Sequence, residues 1–505
     1  MPVRLTGLLL TLYFLTRVGS LNVLPMFLDE AVHLQWAERL YGEGRILRPL
    51  GAGRLLAVAA YGLAVPFEDR LWVARAVACA AGALTLLFTM LLSHGLFGHK
   101  TGLVAGLLYI FSPFALVYDR LALSDGFLGA LITGLMWATW TLIQTPKRRS
   151  ASALLAATLA LAILAKVSAL IFALSVPLAV FALAKEPRPA WRAVGRASAL
   201  GLLLASPMLW FFAAHSGEIS AQHLVDPTIS GLPLLSTLEA MRDWALSYFT
   251  PPVLLFAVLS LLLLRDGRAV WLAGSVAVPF LLFAFFSQPW SARYVLPTLP
   301  PLLILVSGGI GALVGRLKSP MSAVAAFGLV VLLSWPGLSF DRALLKDPAT
   351  AAFPRDDRLQ LVSGWPAGYG VRELAERLKR ESRLGALSVL VDTGGTRTVP
   401  TSLAILLGRE PAIRLLATDF GSADFLTSIT REMRNRRVFA VLGPRPSDLD
   451  FTTLVPGAAV ERVEVYQRPG GEWAATLFRV RPLPDISPTV RGFSPVEGIA
   501  LGSNP

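Results

Sequence analysis

Cysteine is nearly missing from this chain: Cys79 is the only one in 505 residues. That excludes a disulfide framework and a cysteine-based zinc site. Histidine is scarce as well, with five in all, and His215 and His223 show no ligand spacing. Charged residues make up 16% of the chain, against about a quarter in soluble proteins, which excludes a wholly soluble one. There is no internal repeat and no low-complexity tract. The first apolar stretch has no small-residue cleavage site and reads as a retained span rather than a leader. What is abundant is apolar: 54% of the residues are hydrophobic, in runs recurring from Leu5 to Leu338. The chain therefore reads as a polytopic membrane protein. Its net charge of +13 is scattered in small clusters rather than one patch, so no nucleic-acid partner is expected.

A helix needs about 20 apolar residues to cross the hydrocarbon layer. Spans are expected near 5–23, 71–93, 101–118, 123–144, 151–165, 167–184, 197–214, 251–264, 269–287, 294–314 and 321–338. The stretch 52–66 is shorter, closes on Pro66, and is placed as an interfacial or re-entrant helix. Basic clusters lie at Lys147–Arg148–Arg149, at Lys185, Arg188, Arg192 and Arg196, at Arg265 and Arg268, and at Arg316 and Lys318. Positive residues of short loops stay cytoplasmic. Residues 151–184 must then cross twice, as a hairpin turning near Lys166. About eleven crossings of the cytoplasmic membrane follow, with the N-terminus on the cytoplasmic side and loops 24–70 and 215–250 outside.

The tail also falls outside. From Asp341 onward charged residues become frequent and the periodicity alternates between helix and strand. Tyr369–Ser382 reads as an amphipathic helix; Ala386–Val391 and Arg437–Leu442 read as buried strands. Val460–Gln467 and Ala474–Val480 flank Pro469–Gly470–Gly471 as a hairpin. The expected division is a membrane domain at 1–338, an external α/β domain at 339–485 and a disordered end at 486–505.

Ionisable groups at membrane boundaries are costly and direct attention to function. Leu28-Asp29-Glu30-Ala31 opens the first outer loop, with Val32, Trp36 and Leu40 forming an apolar stripe of an interfacial helix. The plain alternatives are an N-cap for Asp29 and a helix-dipole partner for Glu30. Tyr118-Asp119-Arg120-Leu121-Ala122-Leu123-Ser124-Asp125 joins two spans on the same side, where an Arg–Asp pair would also serve as a structural bridge. Lys166 sits at the outer hairpin turn, where a snorkelling lysine is the plain alternative. Trp290 and Tyr294 fit an interfacial aromatic belt, which leaves Arg293 to be explained. Acids (Asp29, Glu30, Asp125) and bases (Arg120, Lys166, Arg293) thus share one membrane face. A transporter would hold polar groups near mid-depth instead.

These stretches resemble the GT-C glycosyltransferases, and within them the bacterial branch of the protein O-mannosyltransferase and aminoarabinose transferase superfamily (glycosyltransferase family 39-like). The resemblance rests on Leu28-Asp29-Glu30-Ala31, Tyr118–Asp125, Lys166-x-Ser168 and Arg293-Tyr294-x-x-Pro297, in that order. Gly364-Trp365-Pro366-Ala367-Gly368-Tyr369-Gly370 is similar to a segment that follows the membrane part in some bacterial members. The resemblance implies a multi-pass enzyme that moves one sugar from a polyprenyl-phosphate carrier to an acceptor hydroxyl on a protein, glycan or glycolipid. It also implies Asp29 as the base. Aminoarabinose-type relatives carry a Lys-Pro-Pro-like element where this chain reads Gly51-Ala52-Gly53-Arg54-Leu55-Leu56, so Arg54 stands in for that lysine.

The chemistry fits these residue types. A hydroxyl nucleophile needs a carboxylate to take its proton, and a departing lipid phosphate needs preorganised cations. Arg293 is the first choice for the phosphate, with Lys166 and Arg54 behind it. Asp29, Glu30 and Asp125 are the candidate catalytic carboxylates, and Arg120 and Tyr294 supporting groups. A divalent metal on Asp29 or Glu30 stays open. A flippase for lipid-linked sugars and a non-catalytic envelope scaffold are the rival readings.

Overall fold

The computed structural model describes residues 3–220, 234–286, 291–318, 320–445, 450–451 and 454–483. His223, Trp290 and the tail from 486 lie outside them. The chain divides into one compact unit of Met1–Tyr369 with Arg468–Glu472, and a second of Gly370–Gln467 with Trp473–Pro505.

The first unit is helical, and each of the eleven expected stretches contains helix. Six helices are long and apolar enough to cross a membrane unaided: Arg70–Phe97, Ser124–Gln144, Pro187–His215, Gly267–Phe285, Ala292–Val314 and Met321–Lys346. The count among the described residues becomes seven if Leu235–Phe249 and Pro251–Leu264, bent by 94°, form one span. The remaining stretches are shorter or broken. The one expected at 101–118 is two helices, His99–Ile110 and Pro113–Tyr118. Pro113 forces the break, because the residue before a proline is driven to extended backbone and Ser112 sits there at φ −80, ψ 127. The hairpin at 151–184 turns where expected. Its first helix, Arg149–Ala165, ends at Lys166 in extended conformation, and Ala169–Phe172 and Ser175–Leu183 continue the return. The loop 24–70 is itself mostly helix, at Leu28–Glu43, Leu47–Gly51 and Leu55–Tyr61. His215, expected in a loop, lies in the helix Pro187–Ser220.

The second unit is a three-layer α/β sandwich. Its five strands are β1 (Leu387–Asp392), β2 (Ile413–Thr418), β3 (Arg437–Leu442), β4 (Ala458–Gln467) and β5 (Trp473–Pro482), in the order β2-β1-β3-β5-β4. β1 pairs in parallel with β2 and β3, while β5 runs antiparallel to β3 and β4. Side chains alternate across the sheet. Leu387, Val389, Val391, Phe439 and Val441 pack with Leu374, Leu378 and Leu403 of the helices Val371–Ser382 and Thr398–Leu407. Leu390, Val438 and Ala440 pack with Phe425 and Ile429 of the helix Ala423–Met433. β1 is therefore buried throughout, as a central parallel strand must be.

Candidate active site

The helix Leu28–Glu43 begins after Phe27, so Asp29 is its second residue and not its N-cap. The capping work falls to Glu30, whose Oε2 accepts from the Phe27 N–H at 3.0 Å, as a glutamate at the third helical position does. Arg75 donates to both Glu30 oxygens, at 2.8 and 2.6 Å, and the Ala122 N–H adds a fourth bond at 2.8 Å. Arg75 in turn donates to the carbonyls of Leu21, Leu24 and Pro25. Glu30, first read as one of a catalytic pair, is wholly buried and has both oxygens engaged. It clamps the first loop to the segment Leu121–Leu123. The acidic pair thus divides, because successive residues of a helix point about 100° apart.

Asp29 faces the other way. Its Oδ2 accepts from Arg293 Nη2 at 2.7 Å, and a quarter of its side chain (25%) stays exposed. Burial opposes its charge, but Arg293 and then Arg54 hold the carboxyl well below the usual carboxylate range. The Arg293 guanidinium lies 5.3 Å from the Phe27 ring and 5.6 Å from that of Tyr294. Lys166 Nζ sits 4.5 Å from the centroid of the same Tyr294 ring and donates to Asp125 Oδ1 at 2.6 Å. Asp29, Arg293, Tyr294, Lys166 and Asp125 therefore form one unbroken chain of contacts.

Arg54 joins from the same loop. Gly53, at φ +65, lets the backbone turn into it. The Gly53 carbonyl accepts from the Val167 N–H at 3.2 Å, which seats Arg54 beside the Lys166 turn. Arg54 Nη1 lies 3.2 Å from His33 Nε2, and His33 Nδ1 lies 2.9 Å from the Ala122 carbonyl. A carbonyl only accepts, so Nδ1 carries the proton and Nε2 accepts from Arg54. Burial, followed by Arg54, pushes the His33 imidazole down to about 4, which keeps that tautomer neutral. Among the described residues, no carboxylate is in ion-pair contact with Arg54.

Arg120 does not join the cluster or pair with Asp125. It is buried and donates to the carbonyls of Thr16 and, at 3.4 Å, Ser20. Of the two carboxylates named for a metal, Glu30 is spent on Arg75 and Asp29 accepts from Arg293. Among the described residues, no group of three or more His, Cys, Asp or Glu side chains is placed to hold an ion. Sequence reasoning missed His33, Arg75 and Asp357. Only His33 carried a signal, since it lies one helical turn beyond Asp29 on the same face.

Residues 57–211 match the family model described as dolichyl-phosphate-mannose-protein mannosyltransferase. No curated protein matches the chain in sequence. Among solved structures it is similar to ArnT from Cupriavidus metallidurans bound to undecaprenyl phosphate, with a TM-score of 0.57 and 15% identity over 94% of this chain and 97% of that one. It is also similar to the Archaeoglobus fulgidus oligosaccharyltransferase in complex with Zn and sulfate, at TM-score 0.54 and 11% identity over 87% and 68%. The AglB of that organism, in complex with an inhibitory peptide and a dolichol-phosphate, gives 0.53 and 11% over 87% and 69%. The fold is that of the GT-C glycosyltransferases. Within this GT-C fold, the family match covers Tyr118–Asp125 and Lys166 but stops short of Asp29 and Arg293.

Proposed function

We propose that this chain is a membrane glycosyltransferase that moves one sugar from a polyprenyl-phosphate donor to an acceptor hydroxyl on a protein, glycan or glycolipid. Its place is the cytoplasmic membrane, with the site at the outer face and the domain 339–485 outside. The observation that carries this reading is the meeting of Asp29 with Arg293 at 2.7 Å, inside a cluster that also holds Lys166, Asp125 and Arg54. Three cations face two carboxylates, so the cluster is one negative charge short of neutral. A phosphate monoester supplies that charge, and guanidinium groups bind it as a fork. ArnT from Cupriavidus metallidurans, on the same fold, is bound to undecaprenyl phosphate.

The Asp29–Arg293 contact sets the order of events. While Arg293 holds it, Asp29 is a weak base. A donor phosphate competes for Arg293, and Asp29 regains basicity as its partner turns away. The acceptor hydroxyl then attacks the anomeric carbon. Its proton passes to Asp29, the new glycosidic bond forms, and the bond to the phosphate oxygen breaks with its electron pair on the leaving group. Arg293, Lys166 and Arg54 stabilise that growing charge. One in-line displacement inverts the anomeric centre. Asp125 holds Lys166 in place.

Arg293→Ala tests the phosphate role. Removing a charge-assisted contact should weaken undecaprenyl phosphate binding to the purified protein about tenfold or more, read by competition with a labelled lipid phosphate. Unchanged binding removes Arg293 from the donor site. Movement of the lipid across proteoliposomes without any transfer would favour the flippase reading instead.

A further inference from the structure

The Asp357 carboxylate, for which neither the sequence motifs nor the proposed chemistry has a use, is wholly buried and accepts four hydrogen bonds. Tyr118 and Tyr248 hydroxyls donate to its Oδ2, the latter at 2.7 Å. On Oδ1 it accepts from the Ser291 hydroxyl at 2.8 Å and from the Ala292 N–H at 3.2 Å. Ala292 opens the helical turn Ala292–Thr298 that carries Arg293 and runs on into Leu299–Val314. Asp357 therefore caps that turn from 65 residues away, where a carboxylate also meets the positive end of the helix.

The same short segment reaches the other half of the pair. Nine residues on, the Pro366 carbonyl accepts from the Leu28 N–H at 3.1 Å, and Phe27 and Ala367 form an antiparallel bridge. A Cβ on Gly368 would lie 2.2 Å from the Met26 carbonyl oxygen, so only glycine permits this approach. Residues 357–368 thus fix the backbone just before Arg293 at one end and just before Asp29 at the other.

We propose that 357–368 is a brace that sets the spacing of Asp29 and Arg293, with Asp357 as the positioning residue for Arg293. Asp357 touches no donor or acceptor; it acts through the turn it caps. The catalytic consequence rests on the transferase reading above, while the brace itself is a claim about geometry.

The test uses full-length protein in detergent, with undecaprenyl phosphate as the probe and Asp357→Ala, Asp357→Asn and Arg293→Ala as variants. Asp357→Ala should lower probe affinity about tenfold or more, since a buried hydrogen-bond acceptor for four donors is gone. Asp357→Asn retains one acceptor oxygen, and the tyrosine hydroxyls can turn to accept from its amide, so its loss should fall between wild type and alanine. Asp357→Ala should add nothing further in the Arg293→Ala background, because residues acting through one group are not additive. Independent, multiplying losses, or wild-type affinity in a folded Asp357→Ala, would overturn the proposal. If the wild-type protein itself ignores the probe, the transferase reading fails, and a structure of Asp357→Asn and Asp357→Ala decides the brace. Loss of the Asp29–Arg293 contact sustains it, and an intact contact overturns it.

Discussion

At the scale of single residues, two neighbouring acids have been given opposite work by the 100° turn between them. Glu30 is buried with both oxygens bonded, whereas Asp29 keeps an exposed edge and a single ion-pair partner. Glu30→Gln should destabilise the protein by about 3–5 kcal/mol, because it leaves Arg75 as an uncompensated buried charge; thermal unfolding in detergent measures this. A stability equal to wild type would return Glu30 to the list of candidate bases. The sequence made Asp29, Lys166, Arg293 and Asp125 visible, since each is a charge in an apolar setting. It hid Asp357, which stands in Arg355-Asp356-Asp357-Arg358 and reads as a solvated run of charges. Its partners Tyr118, Tyr248 and Ser291 lie 239, 109 and 66 positions away. No local pattern encodes contacts of that range.

At the scale of elements, the site is built where helices stop. Lys166 ends one helix, Ser124 and Asp125 begin another, and Arg293 occupies a tight turn ahead of a long span. A charge at a helix end escapes the cost of one at mid-span, which is why boundary residues, and not mid-span ones, assemble here. Gly53 is the junction between two of these ends. Gly53→Ala places a Cβ 2.7 Å from Val167 Cγ2 in a left-handed conformation costing about 1–2 kcal/mol. It should lower the melting temperature and weaken undecaprenyl phosphate binding by displacing Arg54. A change in melting temperature alone would separate Arg54 from the donor site. Apolar run length located the spans and the buried strands β1 and β3, and the turn residues Pro469–Gly470–Gly471 located the hairpin. Neither revealed β2, whose residues Ile413–Thr418 mix buried and exposed positions without alternation, or the break ahead of Pro113.

At the scale of the whole molecule, the fold was legible as a class because membrane insertion imposes a coarse rule on composition. Orientation rests on the basic clusters alone, and the chain offers a direct way to read it. Cys79 is buried, so introduced cysteines report without background. Ser150→Cys, beside Lys147–Arg149, should resist a membrane-impermeant maleimide in intact cells, and Leu384→Cys should react with it. The reverse pattern would put the Asp29–Arg293 site on the cytoplasmic face. The central claim, that Asp29 is the base of a sugar transfer from a polyprenyl phosphate, is tested most directly by single-turnover transfer with Asp29→Asn at saturating donor. A drop of about 10²–10⁴-fold in rate, with undecaprenyl phosphate still bound, is the predicted result; transfer at the wild-type rate would contradict the account.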